Sequence, residues 1–424
     1  MYRLLLLVFL GLRCQIEAFN ISPQPIKTFL YPNSSKTEHG RSSYFGYSLV
    51  IREKSIIVAA PRANSTLPDQ SKVIEPGAIF RCLFNDGSCT SYDVDTKGNH
   101  YEKASTDVLR AKGKDFQWMG GSMDGGTLDS DRFLVCAPRF YSAQEVTHDG
   151  WKYDSNTTTA ANISMIGICY WLKNTTEEEP DVTDICPFAL RNKQTETIGE
   201  NSKPFYQMGQ LGLSAHVSKA STLVMGAPGI DMFRGSVYLN PENQVPGGGR
   251  MVRDTSRAHH RYRRHVSQPN WNQEEDSYFG YSVSSGYFDS SNPNKLLYVA
   301  TAPHANTKSG EAYIFEYQNE GRTMQNHTKF HGMQFGEYFG YSVLVEDLNG
   351  DRKPDLIISA PQHALEDSYD NGAIYVFTNK GSFHFDLTII HSPVGNKGRF
   401  GTTLSQLGDI NQDGYNGGLL THLY

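Results

Sequence analysis

Tyr338-Phe339-Gly340-Tyr341-Ser342, then Ser359-Ala360-Pro361, then Gly372-Ala373-Ile374-Tyr375 is the stretch that decides the fold, because the chain repeats it. The same phrase runs through Tyr44-Phe45-Gly46-Tyr47-Ser48, Ala59-Ala60-Pro61 and Gly77-Ala78-Ile79-Phe80. It runs again through Tyr278-Phe279-Gly280-Tyr281-Ser282, Thr301-Ala302-Pro303 and Gly310-Glu311-Ala312-Tyr313. Weaker copies carry Met119-Gly120 with Cys136-Ala137-Pro138, and Leu211-Gly212 with Gly226-Ala227-Pro228; a sixth opens at Arg399-Phe400-Gly401. The motif glycine falls at 46, 120, 212, 280, 340 and 401. Repetition at this spacing means a stacked or circular array.

A unit of about 60 residues with several short strands matches a four-stranded propeller blade with long loops. In the clearest copy Tyr341 to Val345, Asp355 to Ser359 and Ala373 to Phe377 read as strands bounded by Gly, Pro or Asp. The glycine beside an aromatic lets neighbouring backbones approach near a crowded axis, and Pro after Ala ends a strand. A linear solenoid is the alternative, but it predicts more regular periods. The expected fold is all-β: a propeller, with about five and a half blades present here. It occupies residues 19–424 and breaks off in the sixth blade.

Residues 1–18 read as a secretory signal, with Arg3, an apolar run from Leu4 to Leu12, and Ile16-Glu17-Ala18 before Phe19. No later stretch approaches the roughly 18 apolar residues of a membrane span. Net charge is -6, which gives no reason to expect nucleic-acid binding. Cys82 and Cys89 flank the turn Asn85-Asp86-Gly87 and are expected to staple a hairpin; Cys136 and Cys169 are expected to pair within one repeat, leaving Cys186 over. Glycosylation sequons stand at Asn20, Asn33, Asn64, Asn156, Asn162, Asn174 and Asn326. Arg261-Tyr262-Arg263-Arg264 is similar to a furin-type cleavage signal ending at Arg264, with a plain solvated loop as the alternative.

Asp347-Leu348-Asn349-Gly350-Asp351-Arg352-Lys353-Pro354-Asp355 sets oxygen ligands at alternate positions of a tight loop. Calcium takes six to eight oxygens from carboxylates, amides and backbone carbonyls. Asp347, Asn349, Asp351 and Asp355 offer side chains, and Lys353 its carbonyl. A second loop offers Asp409, Asn411 and Asp413, with Tyr415 where Lys353 stands in the first. The stretch Asp289 to Lys295 lacks the carboxylates and is expected to hold no metal. Both loops read as structural. The sequence contains no His-Glu-x-x-His, Gly-x-Ser-x-Gly or phosphate loop, so no catalytic residues are expected.

These residues together resemble the integrin alpha-subunit head, a seven-bladed propeller, over Phe19 to about Asn416, most nearly the insect position-specific type; the resemblance implies that the propeller is incomplete here. The resemblance implies a cell-surface adhesion glycoprotein of the plasma membrane that pairs with an integrin beta subunit and binds extracellular-matrix ligands. It implies structural Ca2+ in the late blades. It also implies an aromatic cage at the axis that receives a basic side chain of the beta subunit; Tyr47, Tyr281 and Tyr341, each following the motif glycine, match it. Ordinary core packing of these tyrosines is the alternative. The membrane would be reached only through segments beyond Tyr424. Two other readings compete: a truncated soluble decoy, and a secreted phospholipase D-like enzyme with FG-GAP blades. The latter lacks room for a catalytic domain before Tyr44.

Overall fold

The computed structural model describes residues 28–32, 42–101, 111–143, 163–172, 181–198, 201–241, 268–318, 323–366, 368–393, 397–409 and 414–420. Each sequence repeat forms one antiparallel sheet whose strands lie in chain order. Blade 1 comprises Leu49–Ile51, Ser55–Ala60, Ala78–Leu83 and Cys89–Tyr92; blade 2 comprises Ser122–Gly125, Phe133–Ala137, Ile168–Leu172 and Val182–Ile185. Blade 3 contributes Ala215–Val217, Thr222–Ala227 and Ser236–Pro241. Blade 4 comprises Val283–Gly286, Leu297–Ala302, Glu311–Gln318 and Thr323–His331, and Gln268–Pro269 pairs parallel to its last strand. Blade 5 comprises Val343–Glu346, Asp355–Ala360, Ala373–Gly381 and His384–His391; Leu404–Gly408 and Gly417–Leu420 begin a sixth. The first strands of successive blades lie side by side, as they must around a propeller axis.

Burial follows position within the blade. The second strands of blades 2, 3 and 5 are buried along their whole length, since neighbouring blades cover both faces. The outer strand His384–His391 is mostly exposed. Long insertions build a separate sheet from His100–Tyr101, Ala111–Gly113, Tyr141–Ala143 and Ile163–Ser164. Disulfides join Cys82 to Cys89 across a hairpin, and Cys136 to Cys169 across the middle strands of blade 2. Cys186 is in no disulfide among the described residues; its Sγ lies 3.6 Å from the Gly167 carbonyl. No described helix is long and apolar enough to cross a membrane.

The motif itself is the interblade joint. A Cβ on Gly120 would stand 2.4 Å from the Ala59 Cβ of the preceding blade, and one on Gly310 would stand 2.1 Å from the Phe339 carbonyl of the next. The motif serine completes the joint. Ser48 donates to the Gly120 carbonyl at 2.7 Å, Ser122 to Gly212 at 2.7 Å and Ser214 to Gly280 at 3.0 Å.

Candidate functional site

Each motif is a β-turn, and in blades 1, 4 and 5 it presents two tyrosine side chains together. Tyr47 N–H donates to the Tyr44 carbonyl at 3.0 Å, and the same bond recurs at Gly121–Trp118, Tyr281–Tyr278 and Tyr341–Tyr338. The glycine is the third turn residue and has positive φ (Gly46 at 92°, Gly340 at 97°), which type II turns require. The first turn residue is left-handed in all six copies: Tyr44, Trp118, Gln210, Tyr278, Tyr338 and Arg399. A bulky side chain there is strained, a condition that clusters at functional sites.

These turns gather aromatic rings at the axis. Tyr281 lies 5.6 Å from Tyr341 and 5.7 Å from Tyr338, ring centre to centre. Tyr47 and Tyr44 lie 5.5 and 5.6 Å from Trp118. Burial raises the Tyr281 hydroxyl, and the neighbouring Tyr341, Tyr338 and Tyr47 raise it further. Tyr338 is pushed up to about 12, again by burial first. The Tyr281 and Tyr338 phenols are therefore neutral at physiological pH and present their π-faces and hydroxyls. So the structure brings Tyr47, Tyr281 and Tyr341 into one neighbourhood and adds Tyr44, Trp118 and Tyr338. Sequence reasoning missed the added three, although their signal was there: each stands two residues before a motif glycine.

The residue after Ala-Pro caps these rings. Its N–H donates to the carbonyl three residues before the motif glycine: Arg62 to Ser43, Arg139 to Gln117, His304 to Ser277 and Gln362 to Glu337, at 3.1–3.3 Å. That bond lays Arg62 over Tyr44 (5.4 Å), Arg139 over Trp118 (4.4 Å) and His304 flat on Tyr278 (5.2 Å, 14°).

The Asp347–Asp355 loop joins the first two strands of blade 5. Asp347 accepts Gly350 N–H at 2.8 Å and Arg352 N–H at 2.7 Å, Asn349 accepts Asp351 N–H, and Asp351 accepts Lys353 N–H. Asp355, 1% exposed, accepts Leu348 and Asn379 N–H. Burial raises its carboxyl, and the nearby Asp351 and Asp347 add to that rise. Three carboxylates therefore crowd one loop, the condition a divalent cation relieves, and each retains lone pairs beyond its amide bonds. Among the described residues no group of three or more His, Cys, Asp or Glu is arranged to hold a metal as it stands. The donor set fits calcium in chemistry; Lys353 Nζ instead sits 3.0 Å from Asp351.

The second loop follows the first where it is described: Gly414 N–H donates to Asp409 at 2.9 Å, the counterpart of Arg352 to Asp347. The exposed Tyr415 packs near Gly350, so the two loops are neighbours. Asn411 and Asp413 lie outside the described residues. In blade 4 the position matching Asp355 is Leu297, fully buried, and no carboxylate replaces it. Asn64 is exposed, whereas Asn326 lies within a strand with its side-chain oxygen enclosed. Asn20, Asn33, Asn156, Asn162, Asn174, Arg264 and residues 1–18, expected to be a leader, lie outside the described residues.

One further constellation lines the axis. Asp124 accepts from His216 Nδ1 at 3.0 Å, and His216 Nε2 lies 2.9 Å from Ser285 Oγ. The order is that of a nucleophilic triad. Each member, however, comes from the first strand of a different blade, and the relay ties blades 2, 3 and 4 together.

The FG-GAP repeat family matches residues 339–377, the core of blade 5. The chain is 50% identical to Integrin alpha-PS3 of Drosophila melanogaster, over 98% of this chain and 38% of that protein. It is 42% identical to Integrin alpha-PS5 of the same fly, over 94% of this chain and 35% of that one. With Integrin alpha-PS2 it shares 29% identity over 89% of this chain and 26% of the relative. The chain thus spans little more than a third of the first two relatives and about a quarter of the third. With half its residues identical to a fly alpha-PS subunit across nearly its whole length, and the FG-GAP signature inside blade 5, the chain belongs to the insect position-specific integrin alpha family.

Proposed function

We propose that residues 19–424 form the head of an integrin alpha subunit, a cell-surface adhesion receptor rather than an enzyme, which pairs with an integrin beta subunit and binds extracellular-matrix ligands. The observation that carries this reading is the gathering of aromatic rings by the motif turns: Tyr47 packs on Trp118 of the next blade, Tyr281 packs on Tyr338 and Tyr341, and Tyr47 stands near enough to act on both Tyr281 and Tyr341. Such a cluster suits a basic side chain of the partner, and each cation–ring contact contributes about 0.5–2 kcal/mol. Tyr47, Tyr281 and Tyr341 hold the cation, with Trp118 and Tyr338 completing the walls.

Ca2+ is a structural ion in this reading. Asp347, Asn349, Asp351, Asp355 and the Lys353 carbonyl hold it in blade 5; Asp409, Asn411, Asp413 and Tyr415 form the second site. When bound, it neutralises crowded carboxylates and stiffens the connection between strands.

Co-precipitation of the full-length protein with an integrin beta subunit tests the pairing. The double variant Tyr281→Ala/Tyr341→Ala is expected to weaken capture of the beta subunit at least tenfold while the protein still reaches the surface. Undiminished capture would refute the cage, and capture of no beta subunit by the native protein would refute the receptor reading.

A further inference from the structure

The same four residues occur twice, as Glu275-Asp276-Ser277-Tyr278 and Glu366-Asp367-Ser368-Tyr369, and each copy puts a tyrosine just after two carboxylates and a serine. The fold treats the two tyrosines oppositely. Tyr278 belongs to the aromatic turn of blade 4: it is half-buried, its ring flat on His304 at 5.2 Å and edge-on to Phe233 at 5.7 Å. Its acidic flank is also committed, because Glu275 pairs with Arg234 at 2.9 Å and with Lys203 at 3.6 Å. Tyr369 stands in the loop between the middle strands of blade 5 and is 55% exposed. Glu366 is exposed and forms no ion pair among the described residues. A third tyrosine with acidic neighbours, in Tyr92-Asp93-Val94-Asp95, has its hydroxyl enclosed.

Hydrogen bonds fix the backbone of the Tyr369 loop. Leu365 and Ser368 exchange both N–H to carbonyl bonds, at 3.0 and 3.1 Å, and the Tyr369 carbonyl accepts Lys397 N–H at 3.1 Å. Ser368 Oγ donates to Asn371 at 2.7 Å. Asp370, left-handed at φ 51°, pairs with Arg399 at 2.9 Å. The Lys397 ammonium lies 5.8 Å from the centre of the Tyr369 ring, and no carboxylate pairs with it among the described residues. A negative group on this phenol would therefore meet a cation already beside the ring, which offsets the repulsion of Glu366 and Asp370.

We propose that Tyr369 is a site of tyrosine O-sulfation, made as the chain passes through the secretory pathway. The leader expected at residues 1–18 supplies that route. The donor is a sulfonucleotide, a mixed anhydride of sulfate and phosphate. The phenol oxygen attacks the sulfur, the O–S bond forms as the sulfur–oxygen bond to the nucleotide phosphate breaks, and the phenol proton passes to a base of the transferase. A polyanionic donor requires a basic active site, and carboxylates beside the acceptor draw the protein substrate toward it. Glu366 and Asp367 give Tyr369 that attraction, and its exposed ring reaches a transferase without unfolding blade 5. The ester places a fixed negative charge at the joint between blade 5 and the sixth motif turn, where the Asp370 carbonyl accepts the Arg399 N–H at 2.9 Å. This modification goes beyond the receptor reading and does not depend on the beta subunit.

The test expresses the full-length protein in cultured cells fed radioactive sulfate, strips N-glycans enzymatically, and recovers tyrosine sulfate by alkaline hydrolysis. The native protein is expected to yield labelled tyrosine sulfate, with one sulfo group on the peptide that contains Tyr369. Tyr369→Phe should lose this label completely, whereas Tyr278→Phe should keep it. The double variant Glu366→Gln/Asp367→Asn should lower it about fivefold or more, since the attraction to the transferase is gone. Export from the cell should be unchanged in all three variants, which separates loss of sulfation from loss of folding. Absence of tyrosine sulfate from the native protein, label that survives Tyr369→Phe or vanishes with Tyr278→Phe, or a phosphatase-sensitive phosphate on Tyr369 in its place would overturn the proposal. Failure to capture a beta subunit would count against the receptor reading alone.

Discussion

Glu337 is fully buried, immediately before Tyr338 of the aromatic cluster. Its Oε1 accepts the N–H groups of Met333 (2.5 Å) and Gln334 (3.1 Å); its Oε2 accepts His363 Nδ1 (2.6 Å) and the Tyr375 hydroxyl (2.8 Å). The backbone carbonyl of Glu337 also accepts the N–H of Gln362, the residue after Ala-Pro. One carboxylate thus fixes the turn that aims Tyr338, the loop before it, and the middle of blade 5. Glu337→Leu keeps the volume but removes all four acceptor contacts. His363 and Tyr375 are themselves buried, and an unpaired buried donor costs about 1–3 kcal/mol. The expected loss is about 4 kcal/mol, in the range for breaking one side of a buried pair. Glu337→Gln behaves differently. Its oxygen can face the two backbone N–H groups, while its amide meets a hydroxyl and a ring nitrogen that can each accept, so about 1 kcal/mol is lost. Urea unfolding followed by tryptophan fluorescence measures both. A Leu variant within about 0.5 kcal/mol of native, or a Gln variant as damaging as Leu, would refute the assignment of Glu337 as the organising group.

Chelation should lower stability, and 1 mM Ca2+ should restore roughly 1 kcal/mol or more if the sites bind at the about 10−4 M typical of extracellular modules; Asp347→Ala should lose most of this response, and a chelator-insensitive melting curve would count against calcium. Gly46→Ala and Gly120→Ala both place a Cβ at positive φ, but only the second meets another blade, at 2.4 Å from Ala59. Gly120→Ala should therefore cost about 1–3 kcal/mol more than Gly46→Ala, and equal costs would argue against close interblade packing. Burial alone would raise the Asp95 carboxyl, but the buried Lys114 (2.6 Å) and the Tyr170 hydroxyl (2.8 Å) hold it below its ordinary value. A depressed folded value contributes stability above the unfolded value, about pH 3.9, that disappears as pH falls through the folded one. The acid limb of stability should flatten in Asp95→Asn; superimposable limbs would exclude this pair as a source of acid sensitivity.

The blades were legible because the repeat signals their joints directly. Asp355 to Ser359 and Ala373 to Phe377 read as strands, and the structure has Asp355–Ala360 and Ala373–Gly381. The inner strand begins later than its sequence suggested, at Val343, because Tyr341 ends the turn rather than opening the strand. The outer strand His384–His391 escaped notice because neighbours hardly cover it, so no alternation marks it. The sheet joining Ala111–Gly113 to Tyr141–Ala143 was equally hidden, since its partners come from two separate insertions.

The candidate site divides along the same line. Positions fixed within one repeat, such as Tyr47, Tyr281 and Tyr341, could be found by aligning the chain with itself. Interactions between repeats could not, because nothing local records that Asp124, His216 and Ser285 occupy neighbouring first strands. Arg139 shows the distinction most clearly. Its place after Ala-Pro is a property of the repeat, and four blades share the backbone bond that seats the residue there. Its chemical meaning is not: Arg62, at the same position, faces Glu75, and among the described residues Arg139 forms no such ion pair. The repeat therefore fixes where this side chain stands, and the surrounding non-repeated residues decide whether its charge is neutralised or presented.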